Sequence, residues 1–136
     1  MFYHAFKHIQ YIFLLYKGHF AIYLCELGLT VGPQVFVAGT AALKDGAAVA
    51  PGDAAAQTRH ILGVIERALA EADATFADVV RYRVFVTDAA QWPAVAAELG
   101  AVFRDVRPTG TLVGTPWLVD PGLVVEIEMD AVVGEG

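Results

Sequence analysis

The sequence contains little charge and almost no cysteine. Only 18% of its 136 residues are charged, and Cys25 is the single cysteine, which excludes an intrachain disulfide framework and a cysteine-rich zinc site. Its 9 basic residues are outnumbered by 15 acidic ones, so a net charge of −6 argues against DNA or RNA as a partner. With 57% hydrophobic residues at this length, we expect one folded domain rather than a disordered chain.

The first thirty residues differ in composition from the rest. Residues 1–30 hold eight of the fifteen aromatic residues, and their only charges are Lys7, Lys17 and Glu26. This break predicts an appended segment of uncertain role over 1–30 and a domain over 31–136. A membrane anchor in the first segment is a weaker alternative, because charges interrupt its apolar run and a span needs about 20 apolar residues. We therefore expect a cytoplasmic protein without a membrane partner.

Hydrophobic periodicity after residue 31 predicts alternating strands and helices. Apolar runs and period-two alternation indicate strands, and a 3.6-residue period after the capping residue Asp53 indicates a helix. Two helices covering one face of a mixed sheet make an α+β two-layer sandwich. The predicted elements are strands at 35–38, 80–86, 109–115 and 123–132, a helix at 54–72, and a second helix capped by Asp88 with Pro93 in its first turn.

The predicted strands leave one sheet face without a helical cover. In the strand over 80–86, alternation puts Val80, Tyr82, Val84 and Val86 on one face. The opposite face is part charged and part apolar, which is typical of surfaces where subunits associate. The residues predicted on that face include Arg81, Arg83, Phe85, Val124, Glu126, Glu128 and Val132.

Several motifs, in order, resemble those of the Rid family, the YjgF-like proteins also described as L-PSP endoribonucleases. The resemblance covers about residues 31–133. Its motifs are the strand Val35-Phe36-Val37-Ala38-Gly39-Thr40, the helix start Gly52-Asp53 with Gln57-Thr58, the strand Val84-Phe85-Val86-Thr87-Asp88, and the closing Val125-Glu126-Ile127-Glu128.

The resemblance implies a function as well as a fold. Rid-like proteins are homotrimers with a ligand cleft between subunits, and they hydrolyse reactive enamines or imines to keto acids and ammonia without a metal or cofactor. Glu126 matches the family's water-positioning glutamate. Gly39 matches a glycine that lines the cleft, with Thr40 beside it. A small-molecule metabolite is therefore the expected partner besides the chain itself.

One motif departs from the family pattern. The family's Pro-Ala-Arg-Ser/Thr motif reads Pro108-Thr109-Gly110-Thr111 here, so Gly110 stands where the carboxylate-binding arginine is expected. Arg107 is near in sequence, and Arg83 lies on the charged face, so either is a candidate replacement. The missing guanidinium argues against substrates that carry a free carboxylate, because arginine grips carboxylates with two hydrogen bonds.

An alternative interpretation gives the charged face a purely structural role. Arg81 and Arg83 are then expected to pair across strands with Glu126 and Glu128, each pair contributing about 0.2–1 kcal/mol. At the level of function, the alternative to a Rid-like hydrolase is a non-catalytic trimer that binds a metabolite or another protein. Gly110 is the feature that separates the two hypotheses.

The remaining candidate residues indicate no metal site. His60 lies beside the apolar stripe of the first helix without a ligand at suitable spacing, so we expect a surface histidine. His4 and His8 are one helical turn apart but lack a third ligand. Cys25 has no base beside it and is expected to be inert. Trp117 either lines a pocket or covers the sheet edge.

Overall fold

The computed structural model of the chain describes residues 3–5 and 27–134. Its main sheet has six strands in the order β1-β2-β3-β8-β6-β7, and β6 and β7 are parallel while the other neighbours are antiparallel. A small hairpin, β4-β5, stands apart. The strands are β1 Tyr3–Ala5, β2 Gly28–Val31, β3 Gln34–Ala41, β4 Leu43–Lys44, β5 Ala47–Ala48, β6 Val79–Val86, β7 Thr109–Gly114 and β8 Val125–Val132.

The first helix, α1 (Ala54–Glu71), begins and ends where the sequence predicts. The carboxylate of Asp53 accepts a hydrogen bond from the backbone N–H of Ala56 at 2.9 Å, which satisfies one of the unpaired amides of the first turn. The helix stops before Asp73, whose φ of 55° is incompatible with continuation.

The second helix, α2 (Trp92–Phe103), follows a short 3-10 turn over Ala89–Gln91. Asp88 caps that turn by accepting from the N–H of Ala90 at 2.9 Å. Pro93 lies in the first turn of α2, where its missing N–H costs nothing.

Both helices pack on one face of the sheet, and the core lies between the two layers. The predicted α+β sandwich is confirmed. The largest buried side chains come from both helices and from the central strands, among them Ile61, Ile65, Leu69, Val95, Val84, Val125, Ile127 and Met129.

One strand prediction is wrong at its start. Val80 was expected on the apolar face of β6, but its side chain is 46% exposed. The pairing of β6 with β8 shifts register between Val79 and Arg81, so Val79 takes the buried position instead. An extra residue in one strand reverses the alternation at that point, and periodicity alone does not locate it.

The sheet also extends to residues that precede the predicted domain boundary. β2 lies across residue 30, and the backbone of β1 pairs with it in antiparallel register. The separate role predicted for residues 1–30 stays a prediction. Among the residues that the structure describes, no helix has both the length and the apolar character needed to cross a membrane.

Candidate active site

The site lies on the sheet face that no described helix covers, which we call the outer face. Alternation along the central strands places charged side chains there: Glu126, Glu128 and Asp130 on β8, and Arg81 and Arg83 on β6. This arrangement matches the charged face predicted from the sequence. The apolar side chains of Phe85 and Phe36 share the same face.

A β-bulge in β3 shapes the backbone beside these charges. Val37 pairs with Met129 and Thr40 pairs with Ile127, so Ala38 and Gly39 together oppose a single residue of β8. The buried hydroxyl of Thr40 donates to the carbonyl oxygen of Ala38 at 2.9 Å and holds the bulge closed. Thr40 therefore supports the site, while its side chain points into the core rather than onto the outer face.

Gly39 and Glu126 are in direct contact across the bulge. A Cβ atom at position 39 would overlap the Oε1 atom of Glu126, so the carboxylate occupies the space that a side chain would fill. The backbone of Gly39 lies outside the left-handed region, and the close approach alone accounts for a glycine here. The structure thus places two of the predicted site residues together.

Burial makes the Glu126 carboxylate a stronger base than an exposed glutamate. Partial burial is the main cause that raises its pKa above the usual 4.5, and the neighbouring charge of Glu128 adds to the rise. Within residues 27–134 the ion pairs are Arg59–Glu98 and Arg83–Glu128, so neither includes Glu126. A half-buried carboxylate of raised pKa is suited to accept a proton from water.

Arg83 pairs with Glu128 rather than with Glu126. The two residues are directly opposite each other in the β6–β8 register, and Nη1 of Arg83 donates to Oε1 of Glu128. This is one of the cross-strand pairs expected from the structural interpretation. Glu126 instead faces Phe85, and Arg81 faces Asp130.

A buried glutamine, Gln57, holds the start of β8 in place. This role was not predicted from the sequence. Gln57 on α1 is fully buried, and its amide nitrogen donates to the carbonyl oxygens of Ala50 and Gly122 at 3.1 and 2.8 Å. Its Oε1 accepts from the N–H of Val124 at 2.9 Å, two residues before Glu126. A polar residue one turn before Ile61, on the apolar stripe of α1, was the signal that could have revealed it.

Gly110 lies far from this site. It pairs with Tyr82 of β6, and a Cβ at Gly110 would come within 2.6 Å of the Tyr82 ring. That ring stacks on Phe103 of α2 with centroids 5.6 Å apart, so Gly110 faces the helical layer. Tyr82 is level with Met129, three residues along β8 from Glu126. A strand rises about 3.3 Å per residue, so the separation along the sheet alone is about 10 Å.

Arg107 is also on the helical side. Its backbone has a φ of 54°, its N–H donates to the carbonyl of Phe103 at 2.9 Å, and its Nε donates to that of Arg104 at 3.3 Å. It lines a shallow groove of about 240 Å³ beside Tyr82 and Trp92. Within one chain, neither Arg107 nor Gly110 reaches Glu126.

The other predicted residues take no part in this site. In the part of the chain described here, no cluster of three or more His, Cys, Asp or Glu side chains is placed to hold a metal ion. His60 is half-exposed on α1. His8 and Cys25 lie outside the described residues, and only the backbone is described for His4. Trp117 is 73% exposed in the loop before β8.

The raised pKa of Glu126 predicts a pH-dependent effect on stability. Because the folded state binds this proton more tightly than the unfolded chain, the carboxyl contributes stability below pH 4.5 that is lost as pH rises through its folded pKa. Glutamine at position 126 does not ionise, so the Glu126→Gln variant does not lose this stability as pH rises. We expect the variant to have a higher free energy of urea unfolding than the wild type at neutral pH, with the difference vanishing below pH 4.5. A variant less stable at neutral pH would contradict this.

The fold and the site together define a small α+β sandwich protein with a half-buried glutamate of raised pKa on its open sheet face. A family model described as "Endoribonuclease L-PSP" matches residues 23–133. The chain belongs to this family, which includes the YjgF and Rid proteins.

Individual relatives agree with this assignment. The chain is 36% identical over 94 residues to the 3-aminoacrylate deaminase RutC of Acinetobacter baylyi, covering 68% of this chain and 74% of RutC. Rv2704 of Mycobacterium tuberculosis, a YjgF-family protein, is 44% identical with a TM-score of 0.72 over 80% of this chain and 86% of its own. The Rid-family protein YyfA of Yersinia pestis is 25% identical with a TM-score of 0.76 over 83% of this chain and 90% of its own.

Proposed function

We propose that the protein hydrolyses a small reactive imine or enamine on the outer face, with Glu126 as the general base. The observation that carries the proposal is the half-buried Glu126 carboxylate, held against the backbone of Gly39 and outside the described ion pairs. The 3-aminoacrylate deaminase RutC, a relative at 36% identity, acts on an enamine by its name and supports this reaction class.

The proposed reaction needs only water and the residues of the site. Glu126 accepts a proton from water as the water oxygen bonds to the imine carbon, and the imine nitrogen takes up a proton to become an amine. In the resulting carbinolamine, the carbon–nitrogen bond then breaks. Glu126, ionised again after giving its first proton to the imine nitrogen, passes the hydroxyl proton to the departing nitrogen, so that a carbonyl forms and ammonia leaves. The net change is imine plus water to carbonyl compound plus ammonia, and no oxidant or reductant is consumed.

The bulge in β3 supports a role for the Gly39 backbone beside Glu126. Ala38 and Gly39 oppose one residue of β8. The N–H of Ala38 donates to the carbonyl oxygen of Leu27 at 2.7 Å, so Gly39 is the bulge residue that we assign to the ligand. Because position 39 has no side chain, the Glu126 carboxylate lies against the backbone, and a small substrate that meets one of them also meets the other. This supports assigning Gly39 to substrate binding.

We extend the proposal to a homotrimer that uses the outer face as its contact surface. The face carries exposed apolar side chains, including Phe36 and Val132 at 38% exposure each, beside paired charges. A surface of this composition is typical of subunit contacts. The edge strand β7, with Gly110, is exposed along most of its length and is available to a neighbouring copy.

Gly39→Ala is expected to impair hydrolysis more than stability. The added methyl collides with the Glu126 carboxylate, the mobile end of a side chain, so the carboxylate moves and the fold adapts. A displacement of about 1 Å at a reacting group costs up to a hundredfold in rate. The measurement is ammonia release from a freshly generated imine, with urea unfolding in parallel. Gly114→Ala is the control, since nothing lies within 4 Å of its added carbon. Equal rates for Gly39→Ala and the control would contradict the assignment.

The experiment that tests the function itself is ammonia release in the presence of the wild-type protein. Two imines are supplied, one made by oxidising leucine and one made by oxidising isoamylamine, each with its own oxidase. Release faster than in buffer with either imine supports a hydrolase. Release at the buffer rate with both favours the non-catalytic alternative.

A further inference from the structure

We infer that the Arg83–Glu128 ion pair sets substrate specificity, excluding imines that carry a free carboxylate and admitting neutral or cationic ones. The inference rests on the proposed function and names its substrate class. It follows from the position of the pair beside Glu126, from the charges on the outer face and from the side of β7 on which Gly110 lies.

Arg83 is within reach of a ligand at Glu126. It faces Glu128 directly and is therefore a diagonal neighbour of Glu126 across β6 and β8. Diagonal neighbours lie about 7–8 Å apart, a distance that a long side chain spans. A guanidinium at this place would bind the carboxylate of a substrate whose imine carbon, the carbon next to that carboxylate, lies at Glu126. In this chain, however, Nη1 of Arg83 donates to Glu128.

Among the described residues of β6 and β8, acidic side chains outnumber basic ones around Glu126. On β6 and β8 they are Arg81 and Arg83 against Glu126, Glu128 and Asp130. Arg81 faces Asp130, Arg83 faces Glu128, and Glu126 is the remaining charge. An anionic substrate would meet a carboxylate without compensation, and like charges at short range repel.

Gly110 does not supply the missing cation within the chain. It faces the Tyr82 ring and the helical layer, and Arg107 lines the groove on that same side. Of the two arginines on β6, Arg83 is thus the one placed to bind a substrate carboxylate. Its guanidinium is already paired with the carboxylate of Glu128. Glu128 acts here as a specificity-determining residue through Arg83.

The two imines already described form a matched pair for the test. Both have an isobutyl side chain, and only the imine of leucine carries a carboxylate. We expect the wild-type protein to favour the imine of isoamylamine in kcat/KM by about tenfold or more, the scale of one charge-assisted hydrogen bond. An equal or greater value for the imine of leucine overturns this inference and leaves the proposed function standing. Acceleration of neither imine overturns the proposed function.

Glu128→Gln tests the role of the pair directly. The amide does not neutralise Arg83, so the guanidinium becomes available to a carboxylate. We expect KM for the imine of leucine to fall by about tenfold relative to wild type. The double variant Arg83→Met/Glu128→Gln should lose this gain. Glu98→Gln breaks the ion pair with Arg59 between the helices and should leave the preference unchanged. An unchanged KM in Glu128→Gln would contradict the specificity role, and the wild-type comparison requires no variant to fold.

Discussion

Replacing Glu126 by glutamine is expected to lower the rate of imine hydrolysis by about a hundredfold to ten-thousandfold, the contribution typical of a positioned general base. The amide keeps the size of the side chain but accepts no proton from water. The raised pKa of Glu126 adds a pH dependence, because only the ionised carboxylate is a base. Wild-type activity should therefore fall as pH decreases through a pKa above 4.5. The residual activity of the variant should not show this decrease.

Glu98→Gln is the matched control for this experiment. Glu98 is also a partly exposed glutamate, but it lies on α2 and pairs with Arg59 on the helical side. Its replacement should leave kcat/KM within a factor of about two, since surface ion pairs contribute little. A Glu126→Gln protein that hydrolyses the imine as fast as Glu98→Gln would remove Glu126 from the mechanism.

Gly110→Arg is expected to destabilise the protein without creating a carboxylate site at the Glu126 of its own chain. The Cβ atom would lie 2.6 Å from the Tyr82 ring, and stacking on Phe103 limits how far that ring can move. Overpacking of this kind costs about 1–3 kcal/mol of unfolding free energy. Because position 110 faces the helical layer, the new guanidinium would point away from the Glu126 of its own chain.

Gly114→Arg makes the same substitution on the same edge strand. No atom lies within 4 Å of its added Cβ, so its unfolding free energy should stay within about 0.5 kcal/mol of wild type. Urea unfolding of both variants measures the difference. A Gly110→Arg protein as stable as Gly114→Arg, with new activity on the imine of leucine, would contradict both the clash with Tyr82 and the orientation of position 110 toward the helical layer.

The architecture was predictable because the central elements bury one face each. Period-two alternation in β8 and the 3.6-residue stripe of α1 both follow directly from burial, and the structure retains them. Asp53 identified the start of α1 for the same local reason, and Asp88 the 3-10 turn before α2. Each carboxylate accepts a hydrogen bond from a backbone N–H that has no partner within its helix. Family resemblance added Gly39 and Glu126 as residues of one cleft, and the structure shows that the two are in contact.

The details that decide specificity depend on register, which local sequence does not contain. Bulges at Ala38–Gly39 and at Val79–Arg81 change which residues share a face. The choice of Glu128 as partner of Arg83 follows from strand alignment alone. β7 is an exposed edge strand without apolar alternation, so nothing in its pattern indicates that Gly110 faces Tyr82.

The most direct test of the site is a crystal structure of the protein with isovaleramide bound. This neutral amide carries oxygen and nitrogen on one carbon, as the carbinolamine of the isoamylamine-derived imine does. We predict that the amide group lies on the outer face, beside the Glu126 carboxylate and the backbone of Gly39. Isovaleramide bound in the groove between Tyr82 and Trp92, with Glu126 uncontacted, would contradict it.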